Sequence, residues 1–98
     1  MEKLYGIGRK DLAPGLRAAQ IGHSLIEWVV QHGRPPANLV LLEVENEFAL
    51  EQLLEVVKGY PHVTFHEPDL QDEFTALAVS HPDVGRLLSS LPLALRAA

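Results

Sequence analysis

Arg9, Lys10 and Asp11 close a short apolar run, and Gln20 and His23 follow it one helical turn apart. In an α/β sheet, the carboxyl end of a strand and the start of the next helix form the usual ligand site. The free amides of a helix N-terminus attract anions such as phosphate. Lys10 and Arg17 add positive charge near that point. Together they would suit a phosphate or the end of a tRNA.

Other chemistries find less to work with. Gly6-Ile7-Gly8 lacks the third glycine of a dinucleotide fingerprint, and no phosphate-loop motif is present. The chain has no cysteine, which excludes disulfides and thiolate metal sites. His62 and His66 share a strand face but lie too far apart to hold one ion unaided. No metal and no cofactor is expected. Ser24 and His23 are adjacent on a helix, so their side chains diverge by about 100° and make a poor dyad. Taken singly, each candidate has an ordinary reading. His23 reads as a boundary histidine, Gln20 as a solvated side chain, Asp69 as a turn residue after proline, and Thr75 as a β-branched strand residue.

The elements that must position these residues are legible. Residues 3–9 read as a strand, although its two glycines mark a close backbone approach. Pro14 opens a helix over 15–32, which Gly33 and Pro35-Pro36 stop. On that helix Ala18, Ala19, Gly22, Leu25, Ile26, Val29 and Val30 share one apolar face, expected to lie on the sheet. Arg17, Gln20, Ser24, Glu27 and Gln31 form the opposite, polar arc. Ile21 and Trp28 flank that arc and are candidates for an interface in a homodimer, where aromatic residues are enriched.

Residues 38–44 are almost continuously apolar, the pattern of a strand buried on both faces. Asn46 is placed to cap a second helix over 47–58, with Gly59 ending it. Residues 62–66 and 73–79 read as strands joined by a loop, and 83–91 as a closing helix that runs on irregularly past Pro92. The order β-α-β-α-β-β-α predicts a three-layer α-β-α domain over residues 1–98, built on a mixed four-stranded sheet.

Composition narrows the setting. Hydrophobic residues make up 47% of the chain, which predicts an ordered core rather than disorder. There is neither a membrane-length apolar run nor a signal-like leader, so a cytoplasmic protein without membrane association is expected. The net charge of −5 is unevenly spread: residues 1–34 carry +2 and residues 35–98 carry −7. A local basic site can thus coexist with an acidic whole.

The combination of motifs resembles the type-2 peptidyl-tRNA hydrolases. Their opening signature is an R-x-D-L strand end, a glycine-containing turn and A-A-Q-x-x-H-A on the first helix. Here it reads Arg9-Lys10-Asp11-Leu12, Pro14-Gly15 and Ala18-Ala19-Gln20-Ile21-Gly22-His23-Ser24. Glu67-Pro68-Asp69-Leu70 and Thr75-Ala76-Leu77-Ala78-Val79 are similar to the family's acidic turn and closing strand, and the likeness runs from about residue 5 to 82.

The resemblance implies metal-free hydrolysis of the ester between peptide and tRNA. By position it marks Lys10, His23, Asp69 and Thr75 as catalytic, and Asp11 and Gln20 as substrate-binding; the neighbouring cations Arg9 and Arg17 are read as substrate-binding from their charge. Asp69 or His23 would activate water, and Lys10 or Thr75 would stabilise the oxyanion. The departures are specific. Leu16 stands where the family has lysine, the first turn is two residues shorter, and Asp69-Leu70-Gln71-Asp72-Glu73 lacks the family's loop glycine and hydroxyl residue. A relative without activity, binding a small ligand or a protein, is the alternative these departures favour.

Overall fold

A computed structural model describes residues 2–96. Strand β1 (Lys3–Arg9) lies inside a four-stranded sheet of order β2-β1-β4-β3. It pairs in parallel with β2 (Asn38–Val44) and antiparallel with β4 (Glu73–Val79). β3 (His62–Glu67) pairs antiparallel with β4 and forms one edge. The nineteen-residue α1 (Pro14–His32) links β1 to β2, and α2 (Glu47–Val57) links β2 to β3. One 3₁₀ turn (Pro68–Leu70) joins β3 to β4, and a short α3 (Val84–Leu88) follows β4. The expected α/β architecture, element order and mixed sheet are all present. Among the described residues, no helix is long and apolar enough to cross a membrane.

The two faces of the sheet are packed differently. Under α2 and α3 the core is large and apolar, centred on Ile7, Leu50, Leu77, Val79, Val84 and Leu88. Asn46 caps α2 as its type predicts, its side chain accepting the Ala49 N–H at 2.9 Å. The helix ends one residue earlier than expected, at Val57, with Lys58 rather than Gly59 as its C-cap. Under α1 the core is small: Leu4, Trp28, Val63 and Ala78, with Leu25 against them.

That small core reflects an inversion. Helix α1 presents its polar arc to the sheet, not its apolar stripe. Gln20, Ile21, Ser24 and Trp28 are the buried residues of the helix, while Ile26 and Val30 are 63% and 73% exposed. Ile21 and Trp28, expected at an outer interface, are instead interior. The polar side chains are tolerated because each finds a partner. Ser24 donates to the Ile21 carbonyl at 2.7 Å, Trp28 to the Pro61 carbonyl at 3.1 Å, and Gln20 and Arg17 to carboxylates. A polar group so matched loses little on burial. The sheet meets the helix with glycine: a Cβ on Gly6 or Gly8 would stand 2.8 or 2.7 Å from Ile21.

Two further expectations change. β2 is an edge strand, so its first half is open and Leu39 is 57% exposed; only Leu42, Glu43 and Val44 are buried. The stretch after Pro92 does not extend α3. It adds to the outer edge of β2, with Leu42 bridged antiparallel to Leu93, and with Glu43 and Ala94 N–H groups donating to Pro92 and Leu41 carbonyls. This covers part of an edge that would otherwise invite pairing with another chain.

Because α1 rides directly on the β1 glycines, Gly8→Ala forces its methyl into Ile21. We expect a loss of about 1–3 kcal/mol, as for overpacking of a filled core. Urea denaturation would measure it, and an unchanged midpoint would refute the close approach.

Candidate functional site

A β-bulge organises the sequence-predicted residues. Between β3 and β4 the pairing steps from Phe65↔Ala76 to His66↔Phe74, leaving Thr75 as the extra residue. Strict alternation from Leu77, which faces α2, would send Thr75 to α2 as well. The bulge reverses this parity, so Phe74 joins the α2 core and Thr75 turns to α1. The freed Phe74 N–H is taken by the Glu47 carboxylate at 2.8 Å.

Thr75 Oγ1 donates to Gln20 Oε1 at 2.6 Å, and Gln20 Nε2 donates to Glu67 Oε1 at 2.7 Å. Thr75 is fully buried and Gln20 is 1% exposed. Together they form a polar relay from the core to a surface carboxylate. The Glu67 side chain also accepts the Asp69 N–H at 3.3 Å. Its carboxyl titrates below the ordinary 4.5, held down first by the Gln20 hydrogen bond, then by the Asp69 amide, with a smaller contribution from the charge of His23. The exposed imidazole of His23 stacks on Phe65 at 4.8 Å, the rings nearly parallel at 7°. Asp69 is exposed on the 3₁₀ turn, and its carboxylate has no partner among the described residues.

The turn that carries Asp69 is backbone-strained. Gln71 and Asp72 both adopt left-handed φ, 58° and 61°, in the loop where the sequence offers no glycine. For side-chain-bearing residues that conformation costs about 1–2 kcal/mol each.

The arginines are committed inside the fold. Arg9 grips Asp11 through two hydrogen bonds of 3.0 and 2.8 Å, Glu73 at 2.7 Å and the Phe74 carbonyl at 3.2 Å. Its hydrogen bond to Asp11 raises the guanidinium pKa against the opposing effect of burial, and lowers the Asp11 carboxyl below 3.8. Arg17 pairs with the buried Glu43 at 2.9 Å and donates to the Lys10 and Leu12 carbonyls. It therefore clips the β1–α1 loop to β2. Lys10 is exposed and only loosely paired, 4.0 Å from Glu45.

The structure thus brings Gln20, Thr75, His23 and Asp69 around Glu67, and gathers Arg9 with Asp11 through a separate ion-pair cluster. Lys10 stands apart from the relay's contacts. Sequence reading passed over Glu67, Phe65, Glu43 and Glu73. Glu67 had a local signal, a carboxylate before proline at a strand end; the other three take meaning only from long-range contact. Among the described residues no group of histidines and carboxylates is placed to hold a metal ion. His62 is engaged with the Tyr60 carbonyl at 2.8 Å and His66 stacks on Phe74 at 5.1 Å. A cleft of about 400 Å³ lies away from the relay, between Trp28, Arg34, Pro61 and His81.

No family model matches the sequence, and no curated protein does. The fold is similar to the solved structure of Atu0240 from Agrobacterium tumefaciens strain C58, a protein of unknown function. That likeness has a TM-score of 0.73 at 13% identity and covers 94% of this chain and 96% of the other. At that identity the likeness is one of fold.

Two measurements probe the relay. Thr75→Val keeps the side-chain shape but leaves the buried Gln20 oxygen without its donor, and should cost about 1–3 kcal/mol by urea denaturation. The second is the acid limb. Glu67 and Asp11 titrate lower in the fold than their ordinary 4.5 and 3.8. Their contribution to stability is therefore complete above pH 4.5 and is lost as pH falls through the depressed values. Gln20→Leu should flatten the Glu67 part of that limb; an unchanged pH profile would refute the assignment.

Proposed function

We propose that this chain hydrolyses an acyl ester carried on tRNA, the activity implied by its resemblance to the type-2 peptidyl-tRNA hydrolases. The observation that carries the reading is the Thr75–Gln20–Glu67 relay, with His23 seated beside its outer end. Ester hydrolysis needs a base for water and a counter-charge for the base once it is protonated. His23 is exposed and aligned on Phe65, and it takes the proton. Glu67, kept ionised, is a weak base but a suitable anion to stabilise the imidazolium that forms. Gln20 positions Glu67, and Thr75 fixes which end of the Gln20 amide faces it. Asp69 orients the attacking water.

Thr75 has no part in direct contact with the reacting atoms in this scheme. It is buried and its hydroxyl hydrogen is donated to Gln20 Oε1. The resemblance assigns the oxyanion to Lys10, which is exposed, outside the relay's own contacts and held only loosely by Glu45 at 4.0 Å. With Arg9 and Arg17 bound to carboxylates, the grip on tRNA phosphates is slight. Recognition rests on the acyl end rather than on the body of the tRNA.

The same commitment of Arg9 and Arg17 favours a second reading, a module that binds a small ligand without hydrolysing it. Release of deacylated tRNA from peptidyl-tRNA separates the two. The hydrolase reading expects His23→Ala and Asp69→Ala to lower the rate, with loss of the base costing about 10²-fold or more. Glu67→Gln should lower it as well. Binding should weaken only shallowly with salt, as for about one phosphate contact. No release at high protein concentration, with no salt-sensitive binding, would leave the second reading standing.

A further inference from the structure

The inverted helix leaves its apolar stripe without a partner. Gly15, Ala18, Ala19, Gly22, Ile26, Val29 and Val30 fall within about 60° of one line along α1, on the side away from the sheet. Ile26 and Val30 are 63% and 73% exposed, and a Cβ built on Gly15 or Gly22 would meet nothing within 4 Å. Beside the stripe runs an apolar groove of about 310 Å³ between Leu4, Leu25, Val29, Pro35 and Leu39.

The stripe is graded. Its N-terminal half is small and its C-terminal half is large. A two-fold axis through Gly22, with the helices antiparallel, sets residue i of one copy against residue 44 − i of the other. Ile26 then lies on Ala18, Val29 on Gly15, and Gly22 on Gly22. Ile26 and Val29 each meet a small residue, the self-complementarity an isologous interface requires.

We propose that α1 is the interface of a homodimer, two copies crossing antiparallel at Gly22. Area agrees with this occupant. The stripe together with Leu39 and Pro35 would remove on the order of 1,000 Å² in total, the lower end for a specific interface. Charge agrees as well. Each chain carries −5, yet none of the seven stripe residues is charged, so the copies meet over neutral surface. The pairing leaves the relay outside the contact, since Gln20 and Ser24 point into the sheet on the opposite side of the helix.

Sedimentation velocity tests the mass, and engineered cysteine tests the axis. The wild-type chain should sediment at about twice its 10.8 kDa. Ile26→Asp, Val30→Asp and Ala18→Glu should each return it to the single-chain mass with an unchanged circular dichroism spectrum, because all three positions are exposed. The chain has no cysteine, so Gly22→Cys introduces a lone thiol. Only on the axis do two copies of it come within disulfide reach, roughly 4.4–6.8 Å between Cα atoms. Mild oxidation should join Gly22→Cys into a covalent dimer and leave Glu51→Cys, exposed on α2, as a single chain. Single-chain mass at about 100 µM would overturn the proposal. So would a dimer that survives all three charged substitutions, or a Gly22→Cys dimer that does not cross-link.

Discussion

A primary amide buried in a small core must satisfy its oxygen and its nitrogen at once, and Gln20 does so with one partner on each side. The Thr75 hydroxyl donates a hydrogen bond to the amide oxygen, and the amide nitrogen donates one to the Glu67 carboxylate. Both partners depend on features elsewhere. Thr75 faces Gln20 only because β4 bulges at that residue, and Glu67 meets it only because β3 ends where the 3₁₀ turn begins. The amide orientation, the seating of α1 and the charge state of Glu67 are therefore one fact seen at three scales. A buried polar network holds geometry well when every member is paired, and loses the whole advantage when one is missing.

The polar underside of α1 explains which parts of the fold were legible. Periodicity placed the helix correctly between Pro14 and Gly33 and the strands to within a residue or two, because those signals are local. It assigned the wrong face to the sheet, because hydrophobic periodicity assumes that a polar side chain turned inward finds nothing to bond. Here Glu67, Glu43, Thr75 and the Pro61 carbonyl were waiting, from 26 to 55 residues away in sequence. The glycines of β1 were read as a close approach, and they are one. The residue they admit, Ile21, had been placed at the outer edge of the helix.

Candidate-site residues followed the same division. Gln20 and His23 could be listed from their types and spacing, Thr75 and Asp69 only through the family resemblance, and the fold brings all four to one end of the sheet. Their centre, Glu67, was overlooked because a carboxylate gains meaning from what it touches. The arginines were read as ligand-facing because their sequence neighbours put them at a strand end and a helix start. Neither neighbour reveals Glu73 or Glu43 arriving from distant strands to neutralise them.

Those ion pairs bear on what the site can recognise. Arg9 and Arg17 each bind a carboxylate and at least one backbone carbonyl, so a phosphate would have to displace several charge-assisted hydrogen bonds to reach them. Removing one partner of the desolvated Arg17–Glu43 pair would leave the other charge uncompensated, which is costlier than never having formed the pair. The arginines are better understood as fasteners: Arg9 ties the end of β1 to the start of β4, and Arg17 ties α1 to β2. With them fixed, the candidate site is left with a histidine, two carboxylates and an amide. Those groups can handle water and protons, while attraction to a polyanion must come from the few exposed cations outside the relay.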